Sequence, residues 1–180
     1  MAVNSYAALL RGVNVGGRGK VGMEDLRSLF ASLGYTDVAS YVQSGNVVFK
    51  SSTKDVSKLT KAIEQKIRTD LDMDVTVLIR SAVELRKIQT VNPLIGRSGD
   101  PTKLHVTFLQ AEPKTEQVGE LPKVRDGKDE LAVVGREIYL FCPDGYGNSK
   151  LNNAFVEKRL GIRATTRNWR TVAKLVEMTG

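Results

Sequence analysis

Thiol and imidazole are nearly missing from this chain of 180 residues, which has one cysteine, Cys142, and one histidine, His105. A lone cysteine rules out a disulfide framework and a cysteine metal cluster. A lone histidine argues against a histidine-rich metal centre, so neither metal ligands nor a cofactor are expected. Apolar runs of about 18 residues are also absent, and no transmembrane helix is expected. The N-terminus lacks a basic stretch followed by a long apolar segment, so a signal peptide is not expected either. A cytoplasmic protein is the default. Acids are in deficit: 20 Asp and Glu stand against 27 Lys and Arg, for a net charge of +7. That balance favours anionic partners without choosing among nucleic acid, nucleotide and membrane surface. The hydrophobic share of 41% suffices for one ordinary domain or two small ones.

What the chain does have is one stretch no core could use. From Leu9 to Leu26 an apolar strand runs into a loop with Gly12, Gly16, Gly17, Gly19 and Gly22, the cations Arg11, Arg18 and Lys20, and Asn14. An amphipathic helix follows. Such a loop can bring backbone N–H groups and cations up to an anion. The named phosphate loops do not fit. A Walker loop needs a glycine where Asn14 stands and a hydroxyl where Val21 stands. The run Gly17-Arg18-Gly19-Lys20-Val21-Gly22 has dinucleotide-type glycine spacing, but its glycines begin well beyond the strand end at Arg11.

Taken in order, Tyr6 to Arg11 reads as a buried strand. Met23, Leu26, Leu29, Phe30 and Leu33 recur at helical spacing, and Gly34 ends that helix. Val38 to Ser44 and Val47 to Phe49 form a hairpin turning on Gly45-Asn46. Ser52 or Thr53 caps a helix with the stripe Val56, Leu59, Ile63, Ile67 and Leu71. Val75 to Ile79 closes the series, and Ser81 starts a short helix. A second series follows: a strand over Leu104 to Leu109, a short helix from Thr115, and a charged turn over Pro122 to Lys128. A hairpin of Glu130 to Val134 with Glu137 to Phe141 turns on Gly135-Arg136. A helix over Lys150 to Leu160 is capped by Ser149, a short strand covers Arg163 to Thr166, and a helix carries Trp169, Val172, Ala173 and Val176. Strand, helix, strand, strand, helix, strand is the split βαβ order. The expected fold is α+β: two ferredoxin-like halves, residues 1–90 and 91–180, with helices on one face of each antiparallel sheet. No residue-level repeat is visible between the halves.

The last segment is rich in cations: Lys150, Lys158, Arg159, Arg163, Arg167, Arg170 and Lys174 stand against Glu157 and Glu177. Arg167-Asn168-Trp169-Arg170 reads as helical, with the two arginines one turn apart and Trp169 on the core face. No catalytic triad is readable. His105 alternates with Leu104 and Val106 in a strand and reads as structural. Cys142 reads as a buried, inert thiol.

At these residues the chain resembles a bacterial family catalogued as domain of unknown function number 1697. The resemblance rests on Ala8-Leu9-Leu10-Arg11-Gly12-Val13-Asn14-Val15-Gly16-Gly17, on Tyr41-Val42-Gln43-Ser44-Gly45-Asn46-Val47-Val48-Phe49, and on Leu151-Asn152-Asn153 through Ala164-Thr165-Thr166-Arg167-Asn168-Trp169-Arg170-Thr171-Val172. It implies a fold like the one just read and no activity. The first expectation is an anion-binding module for nucleic acid or a nucleotide. Its candidate ligand residues are Arg11, Asn14, Gly16, Gly17, Lys20, Gln43, Ser44, Asn46, Arg167, Asn168 and Arg170. The alternatives are a small enzyme acting on a phosphorylated metabolite, whose catalytic residues are unknown, and an interaction or homodimerising domain. The three polar stretches are expected to converge on one concave site. The first loop and the hairpin tip are expected at opposite ends of adjacent strands, which places a strain on that convergence.

Overall fold

The computed structural model describes residues 2–17, 19–122 and 129–180. Arg18 and most of the expected charged turn lie outside them. The chain divides into two units. One is Met1–Arg86 with Leu175–Gly180, the other Lys87–Lys174.

The first unit contains β1 (Asn4–Leu10), α1 (Met23–Ser32), β2 (Thr36–Tyr41), β3 (Asn46–Ser51), α2 (Val56–Leu71) and β4 (Val77–Ser81). Its sheet has the order β2-β3-β1-β4, with every neighbouring pair antiparallel. Alternation along β1 sends Tyr6, Ala8 and Leu10 into a core with Val47, Phe49, Val77 and Ile79. The apolar stripes of α1 and α2 complete it through Leu26, Leu29, Phe30, Leu59, Ile63 and Ile67. Phe49 is the aromatic hub, with ring centroids 5.6 Å from Tyr6, 5.4 Å from Phe30 and 4.7 Å from Tyr35. The opposite face of the sheet is also buried, at Ala7, Leu9, Val48, Leu78 and Arg80.

Two local expectations for this unit are corrected. The cap of α2 is Asp55, whose carboxylate accepts from the Lys58 N–H at 3.0 Å, rather than Ser52 or Thr53. The β2–β3 turn is the four-residue loop from Val42 to Gly45, and Asn46 is the first residue of β3, opposite Tyr41. Asn46 misleads the sequence reading because its amide closes the wider turn. It donates to the Tyr41 carbonyl at 3.0 Å and to Ser44 Oγ at 3.1 Å.

α3 (Ala82–Thr90) leads from the first unit into the second. Ser81 and Glu84 form a capping box at its start: the Glu84 N–H donates to Ser81 Oγ, and Glu84 Oε2 accepts from the Ser81 N–H. The second unit then repeats the first with β5 (Leu104–Leu109), α4 (Thr115–Gly119), β6 (Glu130–Val134), β7 (Glu137–Phe141), α5 (Asn153–Leu160) and β8 (Ala164–Asn168). The sheet order is β6-β7-β5-β8, the same arrangement strand for strand. α6 (Trp169–Thr179) ends the chain, and its last residues are those counted with the first unit.

The repeat extends to single residues. Arg80 of β4 lies opposite Ala7 of β1, and Arg167 of β8 lies opposite Val106 of β5. Both arginines are buried, and each precedes the residue that caps the next helix. Ser81 caps α3, and Asn168 caps α6 by accepting from the Thr171 N–H at 2.9 Å. Two expectations for this half are also corrected. α5 is capped by Asn152, which accepts from the Phe155 N–H at 2.9 Å, while Ser149 donates to Asp129 at 2.6 Å instead. Arg167 is a strand residue, so it and Arg170 of α6 are not neighbours on one helix.

Candidate ligand-binding loop

The end of β1 stays paired after the strand is over. The Leu10 N–H donates to the Gly45 carbonyl and the Arg11 N–H to the Thr76 carbonyl, both at 2.9 Å. Because β1 and β3 are antiparallel, with Leu9 opposite Asn46, the end of β1 lies beside the start of β3. The glycine loop and the hairpin tip therefore share one end of the sheet. The expectation of opposite ends is wrong because it overlooked that β1 and β3 run in opposite directions.

Asn14 holds the two together. Its Oδ1 accepts from the Val21 N–H at 2.8 Å, and its Nδ2 donates to the carbonyls of Val21 at 3.0 Å and Gln43 at 2.7 Å. Its own N–H donates to the Gly19 carbonyl at 3.0 Å. One side chain thus closes the loop on itself and fastens it to the hairpin. Below it, Val13 is fully buried and anchors the loop in the core. Gly45 is required by close approach, since a Cβ there would lie 2.9 Å from Leu10 Cβ and 3.3 Å from Val13 Cβ. Gly16 and Gly17 at the crest have φ of +61° and +74° with open space around them.

Between loop and hairpin lies a cavity of about 380 Å³, lined by Asn14, Gly17, Lys20, Val21, Gly22 and Gln43. Among the described residues no acidic side chain lines it. The Lys20 ammonium is exposed and makes no hydrogen bond or ion pair among the described residues. Gly22 is the N-cap of α1 and offers no side chain to the first-turn N–H groups. Glu24 and Asp25 occupy that first turn and meet part of the helix dipole.

The remaining expected residues are placed as follows. Arg11 is half-buried and does not line the cavity; Gly16 is exposed on the crest. Ser44 accepts from Asn46, which is itself fully buried. Arg167, Asn168 and Arg170 belong to the second unit. The Arg167 guanidinium is interior and donates to Thr165 Oγ1 at 2.8 Å and to the Thr166 carbonyl at 3.0 Å. Burial pushes its pKa down to about 10, against a smaller opposing pull from Tyr146. Asn168 is spent on its cap, and Arg170 is exposed. Sequence reasoning missed Val21 and Gly22 as lining residues; the signal available was Gly22 standing directly before a helix.

His105 and Cys142 are interior. The imidazole stacks on Tyr146 with centroids 5.0 Å apart, and burial lowers its pKa against a smaller pull from the Lys103 backbone. The Cys142 thiol is fully buried, and burial pushes it up to about 11. Among the described residues no group of His, Cys, Asp and Glu side chains could hold a metal ion. No described helix is long and apolar enough to cross a membrane.

A family model described as Protein of unknown function (DUF1697) matches residues 3–139. The chain belongs to this family. The family match includes the loop, the hairpin and every residue lining the cavity. Among solved structures, the conserved bacterial protein SP0830 from Streptococcus pneumoniae is similar, at 25% identity and a TM-score of 0.78. The likeness covers 99% of this chain and 100% of that one. No curated protein matches the chain.

Proposed function

We propose that the first unit is a binding module for a phosphorylated ligand, a nucleotide or nucleic acid, taken up at the cavity between the glycine loop and the hairpin tip. The observation that carries this reading is the cavity's lining among the described residues: Gly17 and Gly22, a Lys20 without a hydrogen bond or ion pair, and no acid. Such a lining attracts an anion and gives it both a charge and N–H donors. Its volume of about 380 Å³ lies within the roughly 300–1,000 Å³ that small-molecule pockets span. The net charge of +7 brings anions toward the molecule whatever their size. A cytoplasmic setting belongs to the same reading.

Isothermal titration calorimetry at low salt tests it, with inorganic phosphate, nucleotides and short oligonucleotides as probes. At least one probe is expected to bind with Kd below about 1 mM. Lys20→Ala then weakens it roughly tenfold or more, the worth of one hydrogen bond to a charged group. Absence of binding by every probe sinks the proposal. Tighter binding of oligonucleotides than of any mononucleotide selects the polymer as the ligand.

A further inference from the structure

The lining of the same cavity narrows the ligand class, and the narrowing rests on the reading above. Lys20 is the single charged side chain among the described residues that line it. One phosphomonoester, with a charge of about −1.5 to −2, matches one lysine and a few N–H donors. A di- or triphosphate calls for more cations or a metal ion across its phosphates.

The hairpin tip contributes a neutral group to the lining, Gln43. The Gln43 backbone carbonyl is already engaged by Asn14, but its side-chain carboxamide is exposed and makes no hydrogen bond among the described residues. A carboxamide presents an acceptor beside a donor and pairs in two-point fashion with the amino and ring-nitrogen edge of adenine. A bare phosphate offers it nothing. The neighbouring residue is strained. Val42 has φ of +50°, rare for a β-branched side chain, and it is 48% exposed, so no burial offsets the cost.

We propose that the ligand is a nucleoside monophosphate, its phosphate on the Lys20 side and its base edge paired with the Gln43 carboxamide, which makes Gln43 the specificity-determining residue. Calorimetry on the full chain tests this with adenosine monophosphate, adenosine triphosphate and ribose 5-phosphate, the last supplying the same phosphomonoester without a base. The monophosphate is expected to bind roughly tenfold or more tighter than ribose 5-phosphate, the discrimination a two-point base contact gives, and at least as tightly as the triphosphate. Gln43→Ala and Gln43→Met should each collapse the ratio of the two monoester affinities toward one, with melting temperatures near that of the parent. Tighter binding of the triphosphate overturns the inference while leaving the phosphate site standing, and so does a ratio that survives both substitutions. Failure of all three compounds to bind at Kd below about 1 mM overturns the monophosphate inference. Whether the broader site survives that result is read from inorganic phosphate and oligonucleotides.

Discussion

At the scale of single residues, Asn14 does the most with the least. It sits at φ of +56°, a backbone region asparagine tolerates better than most residues, and all its polar side-chain atoms are engaged. Asn14→Ala leaves backbone groups of Val21 and Gln43 without partners and puts alanine, which tolerates the left-handed region less well than asparagine, at φ of +56°. It is expected to cost about 2–4 kcal/mol of stability. Asn14→Gly keeps the backbone geometry and loses only the bonds, so the two variants should differ by about 1 kcal/mol in urea unfolding. A cost for the alanine variant below about 0.5 kcal/mol would show that the clip is dispensable. His105 supplies a pH effect with a definite sign. Its folded pKa lies below the unfolded value of about 6.5. Below that pH the unfolded chain takes a proton that the native state refuses, so this contribution is present above pH ~6.5 and is lost as pH falls. Urea midpoints should drop on going from pH 7 to pH 5, and His105→Gln should flatten that drop. An unchanged slope in the variant would place the acid sensitivity elsewhere.

Secondary-structure elements were legible where one residue type had one plausible use. Gly135-Arg136 between two apolar runs gave the β6–β7 hairpin with the observed boundaries. Gly45-Asn46 offered the same signal and was wrong, because Asn46 uses its amide to brace a longer turn instead of occupying it. Caps were ambiguous for a related reason: Ser52, Thr53 and Asp55 are all competent, and only the register of the apolar stripe against the sheet selects among them. The assignment is checkable. Asp55→Ala should cost about 1 kcal/mol of stability, and Ser52→Ala, at an exposed position outside the cap, less than about 0.5. Equal effects from both would refute the observed cap. β8 was the hardest element to read. Ala-Thr-Thr-Arg-Asn has no apolar alternation, and an arginine followed by Trp169 imitates a basic helix. Nothing local in the sequence reveals that Arg167 is buried. The loop and the hairpin tip, by contrast, were identifiable as candidate site segments because glycine and polar residues gather there without an apolar period. Their proximity was not, since it depends on strand direction.

Over the whole molecule, the two units share strand order, and each places a buried arginine just before a helix-capping residue. Element order alone suggested the repeat; the matching positions of Arg80 and Arg167 support it at residue level, where sequence identity does not. Net charge acts at this scale too. A ligand with one phosphate has no condensed counterion layer to release, so the logarithm of its affinity should fall only shallowly against the logarithm of salt concentration, by screening alone. A slope steeper than about −3 would mean that several phosphates are engaged at once and that the ligand is a polymer. The division of the chain bears on how the molecule is made. The first unit takes its last residues, Leu175–Gly180, from beyond the whole of the second. A ribosome delivers the chain from the N-terminus, at about 5–20 residues per second. The unit whose sheet emerges first is therefore the one completed last, and during translation it waits, unfinished, while the second unit is synthesised.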